Sequence, residues 1–388
     1  MSESNKGRKL SFAEPARGSD TSKTSGMSAR SDADRLSGKL SGRLSGKLSE
    51  LSHPLIQGGM GIGISMGGLA GAVAAEGAMG VISTANIGFT EEDFWQNPDG
   101  AAERSLRREI RKARQISGGK GLLAINAMVV TNNYRRMVEA AAEEGIDAVI
   151  SGAGLPLELP ELLAGSDVLA APIVSGAKAA RTITNLWSRR YGRTPDFIVA
   201  EGSMAGGHLG FGEEELMDGS CKPLEEIVAD IRRLLPELPI FAGGSVFDRD
   251  DIDKMIKAGA DGVQIATRFI ATEECDASDG YKQRIIDATE DDVMILKSPV
   301  GMPGRGLRTP LTEKTAKGLR VPPQKCINCI RTCEPKTTPY CINKALIEAY
   351  KGNYEEGLFF CGGNVGRVNE MTTVRKLIEE LFPRQKGE

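Results

Sequence analysis

The sequence predicts an α/β protein built on a closed, parallel (β/α)8 TIM barrel, followed by a Cys-containing helical extension. Three observations carry that prediction. From His53 onward, short apolar, β-branched runs alternate with amphipathic segments. Eight such units follow one another with no cue for the topological switch that an open doubly wound sheet would need. Several strand ends also carry glycine or a small polar residue, and all fall on one expected face, the C-terminal rim where barrels hold their chemistry.

Strands are expected at 55–58, 80–84, 122–126, 148–151, 168–174, 197–201, 240–243 and 262–265, each short and bounded by turn residues. Helical patterns fill the intervals at 67–76, 102–116, 134–144, 160–163, 177–191, 224–235 and 250–258. The second of these is crowded with Arg107, Arg108, Arg111 and Arg114, the pattern of a solvated outer face with i,i+4 ion pairs. After about residue 274 the alternation stops, and a Pro- and Cys-rich segment leads into helical patterns at 344–350 and 373–381. The expected domains are an arm at 1–50, the barrel at 51–273 and an appended layer or lid at 274–388.

The arm is rich in Ser, Gly, Lys and Arg, and residues 36–47 repeat a four-residue LSGK/LSGR unit three times. With so few apolar groups to offset ordering entropy it is expected to be disordered, either as a plain extension or as a basic docking tail.

Composition bounds the partners. A net charge of −3 gives no global basic field for nucleic acid or an anionic membrane. No run approaches the ~20 apolar residues of a membrane span, and the N-terminus lacks the apolar core of a secretory signal. Seven cysteines, four of them crowded between Cys326 and Cys341, do not resemble the even, dispersed set of a secreted scaffold. A cytoplasmic protein acting on a small molecule is expected, with a homo-oligomer allowed.

The chemistry is expected at the strand ends. Glycine there lets backbone N–H groups approach a ligand closely, and amides at a helix start hold phosphate, the usual role of the seventh and eighth strands of a barrel. The stretch Glu201-Gly-Ser-Met-Ala-Gly-Gly-His208 follows the sixth strand and sets an imidazole on a loop over the mouth. His208, one of only two histidines, is the acid–base candidate, because a neutral imidazole near pH 7 can take or give a proton. His53, before Pro54 at the opposite end of the first strand, reads as structural.

Here a resemblance becomes specific. Ile56-Gln-Gly-Gly-Met-Gly61, the segment ending in His208, Ala242-Gly-Gly244 and Gly259-Ala-Asp-Gly-Val-Gln-Ile-Ala-Thr-Arg-Phe269 resemble the signatures of the nitronate monooxygenase (2-nitropropane dioxygenase) family. Flavin-dependent enoyl-ACP reductases share most of these motifs, and the match spans about residues 53–270. Ser298-Pro-Val-Gly-Met-Pro-Gly-Arg305 and the cysteine segment are similar to a longer branch of the family.

The resemblance implies FMN in the barrel mouth. Its cofactor-binding candidates are Gly59, Met60 and Gly61 after the first strand, Asn126 on the third, and Glu201, Gly206 and Gly207 after the sixth. Gly243 and Gly244, then Gln264, Ala266 and Thr267, complete the set, and His208 takes the place of the catalytic histidine. One departure is Ala266, where the family usually has glycine before threonine, so that a methyl group enters the phosphate corner.

Cys326-x2-Cys329-x3-Cys333-x7-Cys341 has the close spacing of thiolate metal ligands. It resembles, with a shorter last gap, the iron–sulfur segment that follows the FMN barrel in dienoyl-CoA reductases. The alternatives are zinc or buried free thiols, while Cys221, Cys275 and Cys361 read as bystanders. Arg305 and Arg308 lie in a Gly/Pro-rich loop, placed either over an anionic ligand or in solvent.

The leading functional expectation is an FMN-dependent monooxygenase that oxidises alkyl nitronates with O2. The alternative is an NAD(P)H-dependent enoyl-thioester reductase on the same barrel, and a third is a flavin-binding barrel without turnover. No separate dinucleotide fingerprint stands in the sequence, which leans toward the monooxygenase.

Overall fold

The computed structural model describes residues 42–383. Its centre is a closed barrel of eight parallel strands: β1 Leu55–Gln57, β2 Met79–Ser83, β3 Leu122–Met128, β4 Ala148–Gly152, β5 Leu169–Val174, β6 Ile198–Glu201, β8 Ile240–Gly243 and β9 Gly262–Ile265. β9 closes on β1 in parallel register, with Leu55 opposite Val263 and Gln57 opposite Ile265. Every expected barrel strand is present, and the seven expected helices pack outside them. The helix Pro98–Ser117 begins earlier than its apolar pattern, because Asn97 caps it by accepting the Gly100 N–H at 3.2 Å and Pro98 needs no donor in the first turn.

Alternation of side chains along each strand divides the core in two. Ile56, Met79, Val81, Leu122, Ala124, Ile150, Phe197, Val199 and Phe241 point into the barrel and fill it. Their neighbours Leu123, Ile125, Val149, Ile198, Ala242 and Val263 face the helices. Both faces are therefore buried, which is why the strands read as short unbroken apolar runs.

The arm expected at 1–50 needs correction at its end. Residues 1–41 lie outside the described residues, but Gly46–Glu50 forms a 3-10 turn and Leu44, Leu48 and Leu51 are buried in the inner barrel cluster. Arg43 pairs with the buried carboxylate of Asp261 at 2.7 Å, and Lys47 with Asp167 at 2.9 Å. This segment plugs the barrel floor, and the repeat's leucines, not its Ser, Gly and Lys, do the packing.

The extension also departs from a purely helical expectation. It carries the strands β10 Val293–Lys297 and β11 Pro303–Leu307, which form a separate three-stranded sheet with the short strand β7 Gly207–His208 from the barrel. β11 escapes sequence reading because Gly304 and Gly306 replace β-branched residues. A Cβ on Gly306 would meet the Phe359 carbonyl oxygen at 2.5 Å, so the strand must be bare to be covered. Behind it the helices Asp279–Ile286, Pro310–Ala316, Ile342–Tyr350 and Val374–Leu381 complete the layer over the mouth and flank.

The cationic outer helix behaves as expected and reaches further. Arg107 pairs with Glu103 one turn away at 3.0 Å and with Glu143 on the next helix at 2.6 Å, and Arg111 reaches Glu144 at 2.6 Å. His53 stacks against Phe382 at 5.1 Å, far from the chemistry.

Candidate active site

The C-terminal ends of the barrel strands and the inner face of the extension enclose one cavity of about 720 Å³. Every residue expected to hold cofactor lines it. Gly59, Met60 and Gly61 enter from β1, Asn126 from β3, and Glu201, Gly206 and Gly207 from the β6 loop. Gly243 and Gly244 enter from β8, and Gln264, Ala266 and Thr267 from β9, with His208 on the same wall. The glycines are there for close approach: a Cβ on Gly59 would lie 2.4 Å from the Asn126 Cβ. Gly244 adopts φ +99, and a Cβ on it would lie 2.8 Å from the Gly202 carbonyl oxygen.

The strongest chemical feature of the rim is a pair of amide runs. Gly244, Ser245 and Val246 after β8, and Ala266, Thr267 and Arg268 after β9, all line the cavity, and none of their backbone N–H groups finds an acceptor among the described residues. Unpaired backbone donors that face a cavity are costly unless something accepts from them. Two runs of consecutive N–H groups converging at the seventh and eighth barrel strands make an anion-binding concavity suited to a phosphate monoester. The Arg268 guanidinium is turned away from that place, onto the Phe247 carbonyl and Glu380. The Thr267 hydroxyl oxygen accepts the Gly362 N–H at 2.9 Å, which ties the extension to this corner. The residues present thus fit a flavin phosphate.

His208 is not on a loose loop, and this corrects the sequence reading. It lies in β7, opposite Gly304 of β11. Its Nε2 lies 2.7 Å from the Ser298 Oγ, and the Phe360 ring meets its ring edge-on at 5.2 Å. Burial pushes its pKa down to about 4, so the imidazole is neutral at pH 7. Glu201, across the same cavity wall, is pushed up to about 7 by burial, against a hydrogen bond from the Gly210 backbone that favours its charged form. Protein surrounds both groups on every side except the cavity.

Arg305 is neither a ligand clamp nor a solvated residue. It is buried, and its Nη1 donates to the Ser203 and Ala205 carbonyls, stapling the loop between Glu201 and His208 to the extension. Ser298 and Phe360 were not named as site residues from the sequence. The only signal available was the Ser298–Arg305 motif itself. Cys361 is no remote bystander: it lines the cavity behind Gly206, and burial pushes its thiol up to about 12, which favours the protonated form.

The four clustered cysteines stand apart from the main cavity. Cys326, Cys329, Cys333 and Cys341 line a second cavity of about 20 Å³, and all four are free thiols. Among the described residues no three metal-ligating side chains converge closely enough to hold an ion as they stand.

Comparison with known proteins agrees with the fold. Residues 43–384 match the family model for nitronate monooxygenase. A (3aS,4S,5R,7aS)-5-hydroxy-7a-methyl-1-oxo-octahydro-1H-indene-4-carboxyl-CoA dehydrogenase of Mycobacterium tuberculosis is 27% identical over 70% of this chain and 67% of its own length. A probable nitronate monooxygenase of Staphylococcus saprophyticus is 30% identical over 31% of this chain and 34% of its own. Among solved structures, FabK from Thermotoga maritima superposes with a TM-score of 0.67 at 24% identity, over 87% of this chain and 94% of that one. Nitroalkane oxidase from Streptomyces ansochromogenes gives 0.68 at 19% identity, over 87% and 96%. The two structures speak for the fold alone, and the family match spans barrel, site and extension together: this chain belongs to the nitronate monooxygenase family of oxidoreductases.

Proposed function

We propose that the protein is an FMN-dependent oxidoreductase that oxidises alkyl nitronates with O2. The observation that carries the proposal is the pair of unsatisfied amide runs at 244–246 and 266–268, in the same cavity as a neutral, firmly held imidazole. When bound, FMN supplies an acceptor that takes electrons from the substrate and passes them to oxygen.

The chain's own residues do the rest. The amides of 244–246 and 266–268 hold the phosphate, and Gly59 and Gly244 let the rim loops pack tightly against Asn126 and the Gly202 carbonyl. Because Ser298 engages Nε2, Nδ1 of His208 is the nitrogen left to meet substrate. It accepts the α-proton of a neutral nitroalkane, or donates a hydrogen bond to the nitronate, according to its tautomer. The apolar wall of Met302, Ile330, Leu346 and Phe360 excludes water and takes the alkyl part of the substrate.

A second reading is an NAD(P)H-dependent reduction of an activated thioester. Two observations favour it: a cavity of about 720 Å³ is ample for a larger acyl substrate beside a cofactor, and one relative is named a carboxyl-CoA dehydrogenase. Anoxic mixing of the flavin-loaded protein with an alkyl nitronate, and separately with NADH, decides between them. Bleaching by nitronate alone supports the oxygenase, and bleaching by NADH alone overturns it in favour of the reductase. If neither bleaches the flavin, both readings fall. His208→Ala is expected to cut turnover at least a hundredfold and leave FMN bound.

A further inference from the structure

The structure points to a second centre in this chain: we infer that Cys326, Cys329, Cys333 and Cys341 together bind a thiolate-ligated metal at the wall of the active-site cavity. Iron with sulfide and zinc share this chemistry. The inference stands whichever reaction the barrel performs.

Three of the four cysteines lie on irregular backbone and the fourth at a helix start, yet all line one small cavity. Two of them already receive the backbone hydrogen bonds that a thiolate needs. Asn328 holds a left-handed φ of 51, which a non-glycine residue rarely adopts, and its N–H reaches the Cys326 Sγ at 3.3 Å. Cys341 is the N-cap of the helix Ile342–Tyr350, and its Sγ accepts the Lys344 N–H at 3.5 Å. An N–H···S bond fixes the direction of the sulfur that accepts it, as hydrogen bonds from surrounding groups orient metal ligands.

Charge is provided as well. Between 320 and 340 stand Arg320, Lys325, Arg331 and Lys336 against Glu334, while Lys344 is paired with Glu356 at 2.9 Å, and Lys325 lines the cavity itself. Four thiolates around a divalent ion or a cluster leave a net negative centre, which this excess offsets.

The segment is docked rather than dangling. Asn132 N–H donates to the Cys329 carbonyl at 3.1 Å, Arg331 N–H to the Val130 carbonyl at 2.9 Å, and Thr131 bridges Ile330, all on the loop after β3. Ile330, Ile342 and Asn343 line both cavities, so one layer of residues separates the cysteines from the cofactor space. In that layer the Asn343 side chain is buried, with an Oδ1 that lacks a hydrogen-bond partner. The thiols do not yet converge on one point, and the space between them holds about one water. Loading therefore requires side-chain rotation for a single zinc, with Zn–S near ~2.3 Å, or a small outward shift of the turns for an iron–sulfur cluster.

The test is elemental analysis of the full-length chain purified without oxygen, with iron, acid-labile sulfide and zinc measured per chain. The expected result is a stoichiometric centre, lost in Cys329→Ser while flavin content is kept. About one zinc per chain, or iron matched by sulfide, supports the inference and tells the two fillings apart. Thiol titration of the native wild-type protein gives an independent reading that needs no variant. Four of the seven cysteines are expected to become reactive only after chelation. Less than about 0.1 metal per chain, before and after incubation with ferrous iron and sulfide or with zinc, would overturn the inference, as would chelator-independent labelling.

Discussion

Glu201→Gln isolates the electrostatics of the site. The Glu201 pKa rises from 4.5 to about 7 in the folded chain because burial penalises the carboxylate. A raised carboxyl pKa contributes stability that is fully present below 4.5 and lost as pH climbs through 7, since the folded state holds a proton that the unfolded state has released. At ~1.36 kcal/mol per unit, the loss between pH 5 and pH 8 is about 2.5 kcal/mol. His208 works in the opposite sense. Its pKa falls from 6.5 to about 4, so its contribution is lost as pH falls from 6.5 toward 4, and between pH 8 and pH 5 the loss is about 2 kcal/mol. The wild-type protein is therefore expected to show a nearly flat profile in which two slopes cancel. Gln keeps the acceptor for the Gly210 N–H and removes only the titration. With an unfolding entropy of ~2.1 cal/mol/K per residue over the folded part, 2.5 kcal/mol corresponds to about 3–4 °C. Calorimetry of cofactor-free protein at pH 5 and pH 8 should show the midpoint of Glu201→Gln rising by about that much more than wild type between the two. Parallel profiles would refute the assignment of a carboxylate strained by burial at this position.

Other expectations follow from single contacts. Ser298→Ala removes the only side-chain hydroxyl partner shown for the His208 Nε2, a bond worth ~1 kcal/mol net, so kcat/KM should fall about fivefold with FMN affinity unchanged; an unaltered pH profile and rate would contradict a positioning role. Gly244→Ala combines a left-handed φ of 99 with a 2.8 Å approach to the Gly202 carbonyl, and should lower stability by ~1–3 kcal/mol and weaken FMN at least tenfold by fluorescence titration. Leu48→Asp places a charge in the barrel floor and forfeits ~1.5–3 kcal/mol of Leu burial, so denaturant midpoints should drop clearly while the same change at exposed Leu319 leaves them in place.

The barrel was legible because its physics is local. A strand buried on both faces has to be an apolar run, and the turns that follow must be glycine-rich where a ligand approaches, so β1 to β6, β8 and β9 and the glycines at 59, 61, 243 and 244 could all be read from the chain. What escaped depends on contacts distant in sequence. β7 is two residues long, and β11 owes its place to glycines that a covering segment requires, so neither has a β pattern of its own. Ser298 meets His208 across 90 positions, and nothing near Ser298 announces it. At the N-terminal boundary the polar residues of the LSGK repeat outweighed the leucines, though Leu44 and Leu48 are buried and anchor the segment together with Leu51 and the Arg43–Asp261 pair. His208 itself was found because histidine is scarce in this chain, and its rigidity was missed because the ribbon that creates it was missed.

That ribbon changes what counts as the functional unit. The loop from Glu201 to His208 holds two titratable groups and four glycines or alanines between them, so by itself it would sample many conformations. Three elements of the extension restrict it at once: β11 pairs with Gly207 and His208, Ser298 and Phe360 hold the imidazole, and Arg305 holds the carbonyls of Ser203 and Ala205. Arg305 is buried with no carboxylate shown beside it, which would be an expensive choice if packing were all that mattered. Its Nη1 alone serves both carbonyls, and the planar guanidinium holds that nitrogen in a fixed direction, which the freely rotating ammonium of lysine would do less rigidly. The imidazole's position is thus set by the register of a ribbon outside the barrel, and the barrel without its extension would retain the phosphate corner and lose the geometry that aims His208.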